Sequence, residues 1–364
     1  MTAQSLNWYR GRRVFVTGHT GFKGAWLSLW LQKLGAEVTG YALPADEPSL
    51  FGQADVASGM TSLVGDIRDR AALDKAMQAA DPEVVIHMAA QSLVRRSYSA
   101  PVETFETNVI GTVNVLDAAR SLPSLKSIVN VTSDKCYENR DEGEAFAEDS
   151  PMGGADPYSA SKGCAEIAGA AYARSFFADG GATVASGRAG NVIGGCDWAA
   201  DRIIPDLMRA AAAGSEAFIR RPEAVRPWQH VLEPLRGYLM LAQNAAEHGR
   251  GFSGGWNFGP DKDGAVTVRT VAEHVKSFWP DLNIRYADQT TGPHEAHLLR
   301  LDCAKAVRDL GWRPVLSLRD AIAMTVGLYG AAKNDIATLK IAALSQIDDF
   351  ERRAAASTME TMNA

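Results

Sequence analysis

A glycine-rich loop, Gly18-His-Thr-Gly-Phe-Lys-Gly24, lies close to the start of the sequence. It follows a short β-branched run at Arg13–Thr17 and opens a helical pattern of leucines at Phe22–Leu34, after which a second strand signal covers Glu37–Ala42. In such a strand–loop–helix unit, glycines permit the tight turn, and the first helical turn presents free N–H groups that suit a pyrophosphate. The order predicts a βαβ unit that binds a phosphate-bearing ligand.

The same alternation of strand and helix signals continues through the first half of the chain. A third strand ends near Val64–Asp66, and the next two strand signals cover Val84–His87 and Ile128–Thr132. Helical patterns at Arg70–Ala80 and Glu103–Ala119 separate them. Strands that alternate with helices predict a doubly wound parallel sheet of the α/β class, here of the Rossmann type.

Beyond residue 190 turn-rich pieces interrupt the pattern. The elements expected there are helices at Ile203–Ala213, Leu232–Ala246 and Val268–Phe278 and a strand at Gly255–Phe258. We therefore expect a smaller α/β substrate-binding lobe interleaved with the sheet domain. The predicted division is a dinucleotide-binding domain over 1–190 with a returning segment near 228–260, a smaller lobe over 191–227 and 261–345, and a polar tail over 346–364 that frays.

Composition excludes several classes of protein. With 46% hydrophobic and 22% charged residues, the chain of 364 residues is not disordered. Its net charge of −6 argues against nucleic-acid binding. No apolar run has the length of a membrane span, and no secretory segment precedes Val14. Four widely spaced cysteines indicate free thiols, so we expect a cytoplasmic protein.

Two features bear on the choice of cofactor and metal. The second strand ends in Gly40-Tyr-Ala-Leu43, with neither the acidic residue that holds adenosine hydroxyls nor a cation for a 2′-phosphate. NAD is therefore preferred over NADP only by default, and Asp66 is a candidate for contacting the adenine. His19 and His87 have no partners at ligand spacing, so no metal is predicted.

Tyr158 and Lys162 are four residues apart and share one face of a helix. A lysine ammonium beside a phenol favours the phenolate, which is then able to accept a hydroxyl proton. The pair comes soon after the strand that ends in Thr132-Ser-Asp-Lys135, and catalytic groups of parallel sheets gather at such strand ends.

Together these residues resemble the extended short-chain dehydrogenase/reductases. The glycine loop, His87–Gln91, Asn108, the Thr132 strand end and Tyr158 with Lys162 occur in the family's order, and the similarity runs from about Arg12 to about Leu328. Within that family the chain is similar to the nucleotide-sugar 4,6-dehydratases, above all the CDP-glucose branch. Three strings carry this second resemblance: Val16–Gly24, Thr132–Tyr137 and Arg226–Pro234.

The resemblance implies roles for particular residues. The catalytic set it implies is Thr132, Asp134, Lys135, Tyr158 and Lys162. The implied contacts to NAD are Gly18, Thr20, Gly21, Phe22, Lys23, Gly24, Asp66, Ile67, Ala89, Ala90, Gln91, Asn108, Thr132, Tyr158 and Lys162. The implied contacts to a CDP-glucose substrate are Gln91, Arg95, Asn191, Arg202, Arg220, Arg226 and His230. Trp198 and Trp228 are candidates for stacking or for core packing.

The implied reaction oxidises C4 of the sugar, eliminates water across C5 and C6 and returns the hydride to C6. Lys135 stands where dTDP-glucose and GDP-mannose relatives carry a glutamate, so it is either the base at C5 or an electrostatic helper. The alternatives are a dehydratase for another nucleotide sugar, a sugar-nucleotide 4-epimerase and a non-catalytic NAD(H) sensor. The resemblance also implies a homodimer paired through the helices at Glu103–Ala119 and Ser159–Phe177, unless the second lobe covers them in a monomer.

Overall fold

The computed structural model describes residues 5–363, apart from 140–142, 144, 179, 288–298 and 333–334. Its strands are β1 (Arg13–Thr17), β2 (Glu37–Ala42), β3 (Thr61–Val64), β4 (Val84–His87), β5 (Ser127–Val131), β6 (Thr183–Ala189), β7 (Asn191–Ile193), β8 (Glu216–Ile219), β9 (Val225–His230), β10 (Gly254–Phe258), β11 (Ala265–Thr267) and β12 (Asn283–Tyr286). The larger sheet has the order β10-β6-β5-β4-β1-β2-β3, and every neighbouring pair is parallel. This confirms the predicted doubly wound sheet.

Helices cover both faces of the sheet. They are α1 (Phe22–Lys33), α2 (Leu50–Gln53), α3 (Arg70–Ala80), α4 (Val94–Ser99), α5 (Pro101–Phe105), α6 (Gly111–Ala119), α7 (Pro157–Ser175), α8 (Ile203–Ala213), α9 (Leu232–His248), α10 (Val268–Phe278), α11 (Leu318–Ala331) and α12 (Ile336–Asn363). A π-helical segment, Glu106–Ile110, joins α5 to α6. Helices α1, α9 and α12 share a core with one face, whereas α3, α6 and α7 lie on the other.

Strand composition explains the layered arrangement. Every residue of β4 and β5 is buried, as expected for strands covered on both faces. Side chains of β1 alternate between the two cores, with Val14 and Val16 in one and Phe15 in the other. Because all seven strands are parallel, their carboxyl ends lie together along one open edge of the sheet.

The smaller lobe stands over this edge. A three-stranded sheet, β11-β9-β7, and the parallel pair β8 and β12 pack with α8, α10 and α11 around a core of their own. The chain then re-enters the larger sheet, because α9 packs beneath β5 and β6 and β10 pairs in parallel with β6.

The prediction that the tail after residue 345 frays is wrong, because residues up to Asn363 belong to α12. Leu339, Ala343, Ile347 and Phe350 are buried against the main core at helical spacing. Glu351 accepts hydrogen bonds from Lys33 at 2.6 Å and from the indole of Trp30 at 2.8 Å, which fix α12 to α1.

Candidate active site

A cleft of about 1700 Å³ lies between the strand ends and the smaller lobe. It exceeds the roughly 300–1,000 Å³ typical of a single small-molecule site, so it offers room for two nucleotide-sized ligands. All the predicted site residues line it except Asn108 and His230. Those that do are Gly18, Thr20, Gly21, Phe22, Lys23, Gly24, Asp66, Ile67, Ala89, Ala90, Gln91, Arg95, Thr132, Asp134, Lys135, Tyr158, Lys162, Asn191, Arg202, Arg220 and Arg226.

The glycine loop fits a dinucleotide because it has no room for side chains. Gly18 has φ +76°, and a Cβ there would lie 2.7 Å from the backbone nitrogen of Ala89. A Cβ on Gly24 would lie 2.0 Å from the carbonyl oxygen of Gly18. Backbone therefore packs on backbone where α1 begins, which leaves the N–H groups of its first turn open to an anion.

The space beside the end of β2 is filled by His19. A Cβ on Gly40 would lie 2.3 Å from the His19 ring, and the ring bonds to the Ser62 hydroxyl at 2.8 Å. Burial lowers the pKa of His19 to about 4, so the ring is neutral near pH 7. Asp66, predicted to contact adenine, lines the cleft with its carboxylate paired to Arg68 at 2.6 Å.

Asn108 is not among the residues that line the cleft, and its contact with the cofactor stays a prediction. Its side chain is buried, accepts from the backbone N–H of Gln91 at 2.8 Å and donates to the Gln91 carbonyl at 2.9 Å. It also donates to the hydroxyl of Ser161 on α7 at 2.9 Å. Asn108 therefore ties the loop after β4 to α7, and so supports the wall of the cleft indirectly.

Tyr158 and Lys162 lie one turn apart on α7 and are both buried. Burial raises the pKa of Tyr158 to about 12, against a lowering by a hydrogen bond with Ser133. The charge of Asp134 raises this pKa further and that of Arg202 lowers it, while an effect of Lys162 on the phenol stays a prediction. Burial lowers the pKa of Lys162 to about 8, opposed by the charge of Glu166.

The hydroxyl beside Tyr158 belongs to Ser133, which the sequence reasoning missed. Thr132, which the resemblance placed in the catalytic set, instead donates a hydrogen bond to Glu166 at 2.5 Å. The alternation of side chains along β5 explains why Thr132 and Ser133 point in different directions. Ile128 packs in the core on the α7 side of the sheet, and Thr132, an even number of residues later, faces the same side. Thr132 is therefore turned toward the body of α7, and the residue after it reaches the tyrosine.

Asp134 is buried at the centre of the site. Its carboxylate accepts a hydrogen bond from Ser133 at 2.8 Å. Burial raises the pKa of Asp134 above its usual range, although Lys135 lowers it. Lys23 extends from the glycine loop toward the same centre, where burial, Arg202 and Lys162 lower its pKa to about 7 and Asp134 raises it. A carboxyl with a raised pKa is suited to donating a proton.

Arginines from both sides meet across the cleft. Arg95, on α4, and Arg220, after β8, donate to one carboxylate oxygen of Asp201 at 3.0 and 3.2 Å. Arg202 donates to Asp197 at 2.8 Å and to Ser92 at 3.3 Å. Asp201, with φ +61°, is a second cleft residue that sequence reasoning missed. Its position was hidden because the contact joins segments about a hundred residues apart.

His230 is not among the residues that line the cleft, and its contact with substrate stays a prediction. It is fully buried, its ring lies edge-on to Trp26 with 6.0 Å between ring centres, and burial lowers its pKa to about 3. Asn191 on β7 and Arg226 on β9 do line the cleft. Both candidate tryptophans line it too; Trp228 is otherwise buried in the small-lobe core, and Trp198 donates to Gln53 at 3.2 Å.

Comparison with known proteins agrees with this architecture. A family model described as GDP-mannose 4,6 dehydratase matches residues 15–325. The chain belongs to this family. A CDP-glucose 4,6-dehydratase of Salmonella typhimurium is 50% identical over 89% of the chain and 92% of the relative. A dTDP-glucose 4,6-dehydratase of Neisseria gonorrhoeae is 28% identical over 72% of the chain and 79% of the relative.

Solved structures of the family's fold agree as well. A UDP-glucose 4-epimerase of Thermotoga maritima superposes with a TM-score of 0.77 at 21% identity, over 88% of the chain and 99% of the epimerase. A dTDP-glucose 4,6-dehydratase of Streptomyces venezuelae, solved with NAD bound, has a TM-score of 0.73 at 25% identity, over 87% and 97%. The predicted membership of the extended dehydratase and epimerase group is therefore confirmed.

Two further observations concern the described residues alone. Among them, no helix combines the length and apolar character that crossing a membrane requires. Within the same residues no three side chains of His, Cys, Asp or Glu are grouped to hold a metal ion. The metal-free site stays a prediction.

Proposed function

We propose that the chain is an NAD-dependent hydro-lyase that converts CDP-glucose into CDP-4-keto-6-deoxyglucose. The observation that carries the proposal is the juxtaposition of Tyr158, Ser133 and the buried carboxyl of Asp134. A 4-epimerase needs the tyrosine and the hydroxyl but has no use for an acid there. A dehydratase needs both, because it must protonate a leaving hydroxyl.

The glycine loop and the segment Ala89–Gln91 are the residues proposed to hold NAD, with the pyrophosphate at the start of α1. The steric limits at Gly18 and Gly24 support this assignment. NAD held there would supply the hydride acceptor for oxidation at C4 and the hydride donor for reduction at C6.

The chain's own groups move the protons. Tyr158 accepts the proton of the C4 hydroxyl, with Ser133 fixing the phenol and Lys162 supplying positive charge from the next turn. Once C4 is a ketone, the C5 proton is acidic, and Lys135 is the proposed base. Asp134 protonates the C6 hydroxyl, which leaves as water while the C5–C6 double bond forms. Lys135 then returns a proton to C5 as the hydride adds to C6, which completes the 4-keto-6-deoxy sugar. Holding these groups around one sugar is catalysis by orientation.

Two observations favour a cytidine nucleotide. The 50% identity to a CDP-glucose 4,6-dehydratase extends over nearly the whole relative, whereas the dTDP-glucose relative reaches 28%. Lys135 also replaces the acidic residue expected in the other branches. The cleft arginines Arg95, Arg202, Arg220 and Arg226 are the proposed contacts of the diphosphate, since forked donors suit phosphate oxygens.

The test incubates purified protein separately with CDP-glucose, dTDP-glucose, UDP-glucose and GDP-mannose, with and without added NAD. Mass spectrometry would detect the loss of one water. Loss from CDP-glucose alone is the expected result. Water loss from another sugar nucleotide would change the proposed nucleobase of the substrate. Epimerisation without water loss would favour a 4-epimerase. No reaction with any of them would favour an NAD(H) sensor.

We also propose a homodimer. Val102, Ile110 and Ile167 expose 68%, 53% and 60% of their surface on α5, the π-helical segment and α7. Apolar side chains this exposed on adjacent helices are typical of an interface. Sedimentation should give a dimer that Ile167→Asp dissociates, while Ile341→Asp on α12, which is 67% exposed, should not. A monomeric wild type would overturn the proposal.

The proposed location is the cytoplasm. Its support is the chemistry of the four cysteines, which are all free and of which Cys136 and Cys196 are buried. Fractionation of the producing cells, followed by immunodetection, would test it.

A further inference from the structure

The proposed acid and base of the elimination step lie on one very short segment, Ser133–Cys136. It begins two residues after the end of β5 and contains a single turn of 3₁₀-helix, Asp134–Cys136, after which the Tyr137 N–H bonds to the Asp134 carbonyl at 3.4 Å. One turn this short has little stability of its own. Catalytic groups must nevertheless be held within about 0.5 Å of a productive position, so the segment needs support from outside.

The first support acts on the residue before the segment. The Thr132 hydroxyl donates a hydrogen bond to the carboxylate of Glu166, which is buried with about 5% of its surface exposed. Glu166 lies on α7 one turn beyond Lys162 and two turns beyond Tyr158. The contact therefore joins the strand end to the helix that carries the proposed oxidation groups.

The second support acts on the residue after the segment. Arg188, on β6, donates to the Tyr137 hydroxyl at 2.6 Å, and its guanidinium carbon lies 5.1 Å from the centre of the same ring. The phenol in turn donates to the side-chain oxygen of Asn257 on β10 at 2.8 Å. Tyr137 is thus fixed to two strands of the sheet.

Both supports converge on one buried ion pair. Arg188 donates to the two carboxylate oxygens of Glu166 at 2.9 and 2.8 Å, a forked geometry that fixes the relative orientation of the two groups. Each side chain is about 5% exposed. A pair so buried contributes little net stability after desolvation, so its value lies in the geometry it imposes.

We propose that the Glu166–Arg188 pair is a clamp that grips Thr132 and Tyr137 and so positions Asp134 and Lys135 against Tyr158 and Lys162. The expected effect of the clamp on catalysis rests on the proposed function, whereas its restraint of the segment does not. In this arrangement Thr132, Tyr137, Glu166 and Arg188 are positioning residues. The clamp extends the site to groups that do not themselves react.

Removing either charge would leave the other buried and unpaired, which risks a protein that does not fold. Tyr137→Phe and Thr132→Val are better variants, since each removes one hydroxyl and keeps the shape. Tyr9→Phe is the matched control, because Tyr9 is fully buried and donates to the Leu239 carbonyl at 2.7 Å outside the cleft. Thr132→Ser restores the hydroxyl.

The first readout is kinetic. Tyr137→Phe and Thr132→Val should each lower kcat for CDP-glucose about tenfold or more with KM within about twofold, because misplaced groups slow chemistry more than binding. Tyr9→Phe and Thr132→Ser should stay within about twofold of the wild type. A wild-type kcat in both hydroxyl-deleted variants, or an equal loss in Tyr9→Phe, would overturn the clamp.

The second readout needs no substrate. Amide hydrogen exchange in a peptide covering residues 132–139 should be about tenfold faster in Tyr137→Phe and Thr132→Val, and unchanged in Tyr9→Phe. Unchanged exchange in both deletion variants would overturn the clamp even if CDP-glucose were not the substrate. If the wild type were inactive on CDP-glucose while the two variants still exchanged faster than it does, only the proposed function would be overturned.

Discussion

Ser133 donates a hydrogen bond to the carboxylate of Asp134 over 2.8 Å, and the same serine contacts the phenol of Tyr158. One hydroxyl therefore joins the group proposed to start the reaction at C4 to the group proposed to finish the elimination at C6. Substitution of Ser133, the residue common to both contacts, should therefore affect both steps.

Ser133→Ala should lower kcat about 100-fold, because it removes the hydrogen bond that opposes the raised pKa of Tyr158. Ser133→Thr keeps a hydroxyl and should recover most of the activity. The measurement is the steady-state rate of water loss from CDP-glucose. If Ser133→Ala were close to wild type while Thr132→Val lost 100-fold, Thr132 would regain the role that sequence reasoning gave it.

Asp134→Asn should slow water loss far more than oxidation at C4. The amide cannot donate the acid's proton, whereas Tyr158 and Lys162 are unchanged. We expect the near-ultraviolet absorbance of reduced nicotinamide to build up on the protein after CDP-glucose is added. Equal slowing of both steps, with no such absorbance, would remove Asp134 from the acid role.

Asp201→Asn should tighten the binding of CDP about threefold. The carboxylate now neutralises Arg95 and Arg220, but all three side chains are more than 40% exposed, so the pairs are worth only about 0–1 kcal/mol. Titration calorimetry with CDP would measure the change, and Asp349→Asn on α12 is the control. Weaker binding would mean instead that Asp201 holds the arginines in place for the phosphates.

Gly24→Ala should destabilise the protein by about 2 kcal/mol and weaken NAD binding, because its Cβ would lie 2.0 Å from the Gly18 carbonyl oxygen. Gly327→Ala on α11 is the control: no atom outside its own stretch of helix lies within 4 Å of the added Cβ, so a gain of about 0.5–1 kcal/mol is expected. Denaturant unfolding and NAD titration would measure both. Wild-type behaviour of Gly24→Ala would show that the loop can move away from α1.

Glu83 should make the fold sensitive to acid. Burial alone would raise its pKa, but hydrogen bonds from Lys126 at 2.9 Å and Arg12 at 2.6 Å lower it to about 2. A lowered carboxyl pKa stabilises the fold above the unfolded value and loses that effect as the pH falls toward 2. Between about pH 6 and about pH 3 the wild type should lose about 2 kcal/mol more than Glu83→Gln. Equal losses would contradict the assignment.

Local signals were sufficient for much of the fold. The bounds of β1, β2, α3 and β4 follow from apolar runs and caps; Asp69, for example, accepts from the Ala72 N–H at the start of α3. The helix over residues 336–363 was missed although its apolar residues recur at helical spacing. Its polar composition suggested fraying, and its partners on α1 lie some three hundred residues away in sequence.

The site was predictable as a set of segments but not as a set of contacts. The order of motifs brought Tyr158, Lys162 and Asp134 to one cleft. The order of motifs could not show whether Thr132 or Ser133 contacts Tyr158, because that contact depends on which side of the sheet each hydroxyl faces. Nor could it separate Asn108 and His230 from true lining residues, because burial is decided by packing between distant elements.

The position of β10 has a consequence for how the protein is made. Strand β6 finds its outer neighbour only when Gly254–Phe258 has been synthesised, after the cleft-forming segments of the smaller lobe. A nascent chain that ends soon after β6 thus carries an uncovered strand edge, which invites aggregation. The larger sheet therefore cannot be completed on the ribosome before the smaller lobe's strands β7, β8 and β9 have emerged. A protein in which another lobe replaces this one would therefore have to keep α9 and β10, which return the chain to the larger sheet.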